Sequence, residues 1–101
     1  MSGLFITVEG VEGSGKSTQI QRLSGHLERL GVPLVLSKEP GGTVLGRELR
    51  ALLLAPHESG ETWCPNAELL LFYADRAQHL ARLVEPALEA GKVVLVDRFE
   101  D

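Results

Sequence analysis

The sequence predicts an α/β fold in which a parallel sheet of three strands has helices on both faces. Two observations carry this prediction. Three short apolar runs alternate with segments of helical periodicity, and the last run, residues 93–96, is apolar at every position. A strand that is apolar on both sides is typical of a parallel sheet covered by helices, and the β-α-β-α-α-β order fits such a sheet. With 101 residues, we expect residues 1–101 to form a single domain.

The first half of the chain contains two predicted strands separated by a helix. Residues 4–9 are apolar and partly β-branched with a glycine behind them, which predicts the first strand. Residues 32–37 form the second predicted strand, with Pro33 near its start, where a missing N–H group is tolerated. Between them, apolar residues recur every three or four positions and predict a helix that Gly31 ends: Ile20, Leu23, Leu27 and Leu30.

A turn and a leucine-rich helix follow the second strand. Residues 38–43 have the Gly and Pro content of a turn. The next apolar stripe predicts a helix that stops before Pro56, and residues 55–64 are polar and predict a loop. The stripe consists of Leu45, Leu49, Leu52 and Leu53.

The last part of the chain contains a long helix and the third strand. Pro65 is well placed as the first residue of a helix, which we expect to continue to about Leu83. Pro86 starts or kinks a short helix that ends at Gly91. Residues 92–99 then predict the third strand, which ends in charged residues.

Composition and charge exclude several function classes. The net charge of −4 gives no general attraction to nucleic acid or to an anionic membrane, so we expect neither as a partner. No apolar stretch approaches the ~20 residues of a membrane span, and the start shows no signal-peptide pattern, so we expect a cytoplasmic protein. The single cysteine, Cys64, permits no disulfide within the chain and is predicted to be a half-buried structural thiol. The histidines lack metal-ligand spacing and are predicted to be structural or solvated: His26, His57 and His79.

A glycine-rich loop between the first strand and the first helix predicts a phosphate site. Gly10, four further residues and then Gly15-Lys16-Ser17 match the pattern G-x-x-x-x-G-K-[ST]. Glycines let backbone N–H groups approach an anion closely, and the following helix start favours negative charge. The alternative is a glycine turn with a solvated lysine. The predicted ATP-binding residues are Gly10, Val11, Glu12, Gly13, Ser14, Gly15, Lys16, Ser17 and Thr18.

Two oxygen-bearing side chains beside this loop predict a magnesium site. Lys16 would place its charge on the β- and γ-phosphates, and the Ser17 hydroxyl would hold Mg²⁺. Asp97 ends the third predicted strand, where a phosphate-loop protein keeps the carboxylate that orients Mg²⁺ or its waters. The alternative for Asp97 is a cap on the following turn. Because the sequence stops just after this strand end, we expect the domain to be incomplete.

Five segments, in order, resemble bacterial thymidylate kinases. They read VEGVEGSGKST, KEPGGT, LRALLL, LLFYADRAQH and VLVDRF, and the resemblance spans essentially all 101 residues. The glycine loop is shared with many families, whereas the second and fourth segments are far more specific. The resemblance implies a P-loop NTPase-type fold and a nucleoside monophosphate kinase that converts ATP and dTMP to ADP and dTDP with Mg²⁺.

The resemblance also implies roles for single residues. Phe72 stacks on thymine, and Arg76 bonds a base carbonyl. Arg50 and Arg98 bind the dTMP phosphate, Lys16 and Arg98 are catalytic, and an acidic residue at position 12 contacts the deoxyribose 3′-hydroxyl. The implied substrate-binding residues are Glu12, Pro40, Arg50, Leu53, Phe72, Arg76 and Arg98, with less defined roles for Glu39 and Gln78.

Each residue also has a simpler interpretation when it is taken alone. Phe72 could be ordinary core packing, and Arg76 could pair with Asp75 on the surface. Arg50 could lie on the solvated face of its helix, and the Glu12 carboxylate could turn to solvent. For Glu12, repulsion from ATP phosphates favours the acceptor side, where a sugar hydroxyl is a donor.

The resemblance further implies what this stretch of chain lacks. One subtype of the family carries a catalytic arginine in the phosphate loop, where this sequence has Gly13. The other subtype takes it from a later lid, so we expect the 101 residues alone to bind nucleotide but to transfer phosphate poorly. We expect a homodimer, with the helix of Phe72 near the interface. Two alternatives stay open: another nucleoside or nucleotide kinase, and a non-catalytic nucleotide-binding fragment.

Overall fold

The fold was analysed in a computed structural model, which describes residues 3–10 and 15–99. Three strands alternate with helices in the predicted order. The elements are β1 (Leu4–Gly10), α1 (Lys16–Arg29), β2 (Leu34–Glu39), α2 (Val44–Leu54), α3 (Pro65–His79), a π-helical turn (Leu80–Val84), α4 (Glu85–Glu89) and β3 (Val93–Phe99).

The strands form one parallel sheet with β3 between β1 and β2. Val93 of β3 is in register with Leu4 of β1 and with Leu34 of β2. Because all three strands run in the same direction, their carboxyl ends meet at one edge. Charged residues from each strand are therefore brought together at that edge.

Both faces of the central strand are covered. Val94 and Val96 are fully buried and form a core cluster with Val84 of the π-helical turn. Leu95 points to the opposite face and is also buried. Helix α1 covers that second face: it contacts all three strands, and its first residue, Lys16, lies against Asp97, which shares the face of Leu95. The predicted fold class, a parallel sheet with helices on both faces, is confirmed.

The first helix ends as its sequence predicts. Gly31 adopts a positive φ of 75°, which a glycine accommodates without strain. Its N–H donates to the Glu28 carbonyl at 3.0 Å, and the Val32 N–H donates to the Leu27 carbonyl at 3.1 Å. This pair of bonds is a Schellman motif, and it satisfies carbonyls that the end of the helix would leave unpaired.

The predicted bounds of β2 were wrong at both ends. The strand starts at Leu34 rather than 32 and continues through Lys38 to Glu39, which composition had assigned to a turn. Ladder pairing with β3 extends to the Glu39–Arg98 pair. Lys38 and Glu39 belong to the strand because their backbones pair with β3, although their side chains are not apolar and gave no strand signal in the sequence.

The single long helix predicted from Pro65 to about Leu83 is divided in the structure. It ends at His79 and passes through the π-helical turn into α4, where Pro86 lies in the first turn. Proline lacks an N–H group and crowds the carbonyl four residues before it, so a locally wider turn accommodates it. Cys64, predicted to be half-buried, is exposed.

No helix in the described ranges is both long and apolar enough to span a membrane.

Two helical glycines give a stability test with opposite signs. A Cβ on Gly25 in α1 would meet only the Arg29 guanidinium at 3.7 Å, so Gly25→Ala should stabilise the protein by about 0.5–1 kcal/mol. A Cβ on Gly46 in α2 would lie 2.5 Å from the buried Asp75 carboxylate, so Gly46→Ala should destabilise it by about 1–3 kcal/mol. Urea denaturation measures both; equal stabilisation by the two changes would contradict this packing.

Candidate functional site

The phosphate loop is described at its two ends. Gly15 adopts a positive φ of 87° and precedes Lys16, the first residue of α1. Ser17 and Thr18 are exposed in the first turn, where helix N–H groups have no intrahelical partner. The remaining predicted loop residues, Val11, Glu12, Gly13 and Ser14, lie outside the described residues.

Lys16 is buried at the carboxyl edge of the sheet, with 6% of its surface exposed. Its ammonium donates to the Gly10 carbonyl at 2.9 Å and to the Arg98 carbonyl at 3.3 Å. The same Nζ atom lies 2.8 Å from Oδ1 of Asp97. The lysine therefore joins the ends of β1 and β3, and it lies directly against the carboxylate predicted for the metal.

Three charged residues form a row across the sheet next to this lysine. The strand register places Glu9, Arg98 and Glu39 side by side on β1, β3 and β2. The Arg98 Nη1 atom lies 2.9 Å from Oε1 of Glu9, and its Nε lies 3.5 Å from Oε1 of Glu39. Side chains at paired positions of a parallel sheet project to the same face, so the register itself produces these contacts.

Glu39 is a buried carboxylate that helix α3 also contacts. Arg76 donates from Nε to Oε1 at 3.1 Å, and His79 donates from Nδ1 to Oε2 at 3.0 Å. Burial acts to raise the pKa of Glu39, but these two hydrogen bonds and the positive charge of Arg98 hold the pKa below its ordinary value. The carboxylate is thus ionised at neutral pH.

The loop that follows Glu39 is fixed from both neighbouring helices. Arg50 of α2 donates from Nη1 to the Pro40 carbonyl at 3.0 Å. The Gly41 N–H donates to Oδ1 of Asp75 of α3 at 3.0 Å. Burial raises the pKa of Asp75, the Gly41 bond lowers it, and the nearby Glu39 charge raises it, for a net increase.

The remaining predicted residues are less closely connected. Phe72 and Gln78 lie half-buried on α3, with Phe72 one turn before Arg76. Leu53 lines a groove of about 1160 Å³ between the end of α2, the loop and the start of α3. Within the described residues, no group of three or more His, Cys, Asp or Glu could hold a metal ion.

The sequence did not predict the contacts of three polar residues in this cluster, although His79 was predicted to be structural or solvated and is buried. Asp75 does not form the suspected surface pair with Arg76; it is 1% exposed and serves the Gly41 N–H. His79 is fully buried, and its Nε2 lies 2.7 Å from the Ser37 hydroxyl. The spacing of Asp75 and His79, four apart on one helix, places them on one face and could have suggested a buried polar stripe.

Comparison with known proteins places the chain. A family model described as "Thymidylate kinase" matches residues 8–101. A thymidylate kinase of Halothermothrix orenii is 55% identical over 101 residues, which cover 100% of this chain and 47% of that protein. One from Pseudomonas entomophila is also 55% identical, with coverages of 100% and 47%.

Solved structures agree with the sequence matches. The crystal structure of thymidylate kinase from Ehrlichia chaffeensis superposes with a TM-score of 0.83 at 40% identity, covering 98% of this chain and 53% of that one. The chain therefore spans about half the length of the curated relatives it matches.

The two buried carboxylates predict opposite pH dependences of stability. The pKa of Glu39 is lowered, so its stabilisation is present above its ordinary value of 4.5 and is lost as pH falls through the folded pKa. Glu39→Gln should therefore cost about 1–3 kcal/mol at pH 7 and less in acid. The pKa of Asp75 is raised, so its cost is present at neutral pH and is relieved as pH falls towards 3.8.

Asp75→Asn removes that cost and serves as the matched variant. Its stability relative to the unmodified protein should be most favourable at pH 7 and should decline as pH falls through the folded pKa of Asp75. Urea denaturation between pH 3 and pH 7 measures both differences. Slopes of the same sign for the two variants would show that the partners of these carboxylates are assigned incorrectly.

Proposed function

The chain belongs to the thymidylate kinase family, and we propose that the whole protein transfers the γ-phosphate of ATP to dTMP, giving ADP and dTDP. The proposal is supported chiefly by the contacts of Arg98, which connect it both to Lys16 and to the charged row at the sheet edge. Its carbonyl accepts from Lys16, and its guanidinium lies in the row with Glu9 and Glu39. With Lys16 on the donor phosphates and the Arg98 guanidinium on the acceptor phosphate, the two phosphates would meet at the end of β3.

On the donor side, the phosphate loop and Lys16 bind ATP. The ammonium is already held among the carbonyls of Gly10 and Arg98, so little side-chain entropy is lost when phosphate oxygens approach it. The exposed N–H groups at the start of α1 add hydrogen-bond donors and a favourable dipole. Together these groups orient the γ-phosphate at the carboxyl edge of the sheet.

The residues beside Lys16 fit Mg²⁺. Ser17 and Asp97 offer hard oxygen ligands, and Oδ1 of Asp97 is a buried atom that lies against the Lys16 ammonium. Magnesium is usually held by one or two protein oxygens together with phosphates and waters, so a larger carboxylate cluster is not required. When bound, the ion would neutralise negative charge on the phosphates of ATP.

On the acceptor side, α3 and the loop after β2 form the pocket. Phe72 would stack on the thymine ring, and Arg76, 43% exposed and held by Glu39, would bond a base carbonyl. Arg50 and Arg98 would hold the dTMP phosphate, with Pro40 and Leu53 as pocket walls. The phosphate oxygen of dTMP is already anionic, so the arginines mainly have to hold two repelling anions in line.

The proposal includes a cytoplasmic homodimer. Apolar side chains on the outer face of α3 support the dimer: Leu69, Leu70 and Tyr73 are each more than half exposed. They lie one turn apart at most and are adjacent to Phe72, so a partner that covers them would lie beside the acceptor pocket. A catalytic arginine from a lid is also part of the proposal, because position 13 is glycine.

The activity is tested with the protein at its natural length, ATP, Mg²⁺ and a panel of dTMP, dCMP, dAMP and dGMP. We expect dTMP to be preferred. Lys16→Ala should lower kcat by about 10²–10³-fold, because it removes a charge aimed at the transferred group. Lys92→Ala, an exposed lysine before the start of β3, is the control and should leave turnover unchanged. Near-normal turnover in Lys16→Ala, or equal use of all four acceptors, would refute the proposal.

Glu12 is proposed to face the acceptor sugar. Glu12→Ala should raise the KM for dTMP by about tenfold, as expected for a lost hydrogen bond to a charged group, with little change in the KM for ATP. Glu12→Gln keeps an acceptor oxygen, so its KM for dTMP should lie between those of the unmodified protein and Glu12→Ala. Steady-state kinetics with each substrate varied in turn decides this, and equal losses for ATP and dTMP would place the side chain elsewhere.

A further inference from the structure

A hydrogen-bonded chain of Ser37, His79 and Glu39, whose last two members are buried, connects β2 and α3 behind the proposed acceptor site. The Ser37 hydroxyl lies 2.7 Å from Nε2 of His79, and Nδ1 of His79 lies 3.0 Å from Oε2 of Glu39. His79 is 0% exposed and Glu39 is 5% exposed. None of the predicted roles uses Ser37 or His79.

The direction of the hydrogen bonds in this chain follows from chemistry. An ionised carboxylate only accepts hydrogen bonds, so Nδ1 of His79 carries the proton and donates to Glu39. In the neutral tautomer, Nε2 is then an acceptor, and the Ser37 hydroxyl donates to it. The ring is therefore held at both nitrogens, and Oε2 of Glu39 accepts a hydrogen bond of defined direction from His79.

The backbone at Gly42 packs closely against the imidazole of His79. A Cβ on Gly42 would lie 2.5 Å from Oγ of Ser37 and 2.6 Å from Cδ2 and Nε2 of His79. Gly42, in the loop after β2, thus packs directly against the hydrogen bond between Ser37 and His79. A ring enclosed in this way holds its position more precisely than an exposed side chain could.

The opposite oxygen of Glu39 serves the two arginines that the proposed function assigns to the acceptor. Arg76 donates to Oε1 at 3.1 Å from α3. Nε of Arg98 on β3 lies at an ion-pair distance of 3.5 Å from the same atom, and Nη1 of Arg98 donates to Oε1 of Glu9 at 2.9 Å. A nucleotide bound in one conformation holds its base and its phosphate at one separation, so the two arginines that contact them must keep a matching separation. A carboxylate that contacts both can set it only if the carboxylate itself is held still.

We propose that His79 is a positioning residue that, with Ser37, orients the Glu39 carboxylate and through it fixes Arg76 and Arg98 for the acceptor nucleotide. This inference rests on the proposed function for the roles of the two arginines. It predicts that His79 governs use of the acceptor and has little influence on ATP.

Two substitutions of His79 each keep one of its two hydrogen bonds and remove the other. In His79→Asn the amide nitrogen takes approximately the place of Nδ1 and keeps the bond to Glu39. In His79→Gln the amide oxygen reaches approximately the place of Nε2 and accepts from the Ser37 hydroxyl, so only the bond to Ser37 is kept. His79→Gln should raise the KM for the acceptor by about tenfold or more, whereas His79→Asn should stay within about threefold of the unmodified protein.

Coupling supplies the second measurement. If His79 acts through Glu39, His79→Gln should add little to the acceptor KM once Glu39→Gln is present. The KM for ATP should be unchanged in all of these variants. Equal acceptor KM values for His79→Asn and His79→Gln, or full additivity with Glu39→Gln, would overturn the positioning role and leave only a structural one.

The assay uses the natural-length protein and the acceptor that it prefers in the four-nucleotide panel. A preference other than dTMP would therefore refute the base assignment without affecting the test of His79. The Nε–H resonances of Arg76 and Arg98 in ¹H–¹⁵N spectra give a readout that needs no turnover. They should shift in His79→Gln and stay near their original positions in His79→Asn; the reverse pattern would overturn the proposal even in an inactive protein.

Discussion

A single buried carboxylate, Glu39, sets the geometry of the proposed acceptor site. Burying an ionised group is costly unless it is paired, and here partners come from two other elements, Arg76 and His79 on α3 and Arg98 on β3. The low pKa of Glu39 follows from those partners, which outweigh the desolvation. The sheet and α3 are thereby joined at the residues proposed to bind the acceptor.

At the same edge of the sheet, the ion pairs that orient the cations also weaken their attraction for phosphate. Lys16 lies on Asp97, and Arg98 lies between Glu9 and Glu39, so each of these cations faces a carboxylate. Such pairing orients the cations before substrate arrives, but it also reduces the positive charge that phosphates would meet. Backbone N–H groups at the helix start supply attraction without a counter-charge, which is why a glycine loop is needed beside a lysine.

Local patterns in the sequence predicted the element order, the parallel sheet and the end of α1 at Gly31. They failed where structure depends on partners distant in sequence. The polar end of β2 is defined by pairing with β3, and the bonds of His79 reach back about forty residues to Ser37 and Glu39. Periodicity describes which face of an element is apolar, and it carries no information on which buried polar groups will meet.

The two most specific segments of the sequence, KEPGGT and LLFYADRAQH, form one structural unit. Glu39 binds Arg76 and His79, the Gly41 N–H binds Asp75, and Gly42 leaves the space that His79 and Ser37 occupy. A change in either segment would leave a buried polar group of the other without its partner. Their joint presence is therefore a stronger indication of the proposed acceptor site than the phosphate loop, whose pattern is explained by phosphate binding alone. The loop is connected to this unit through Lys16, which donates to the Arg98 carbonyl, and through the contact of Arg98 with Glu39.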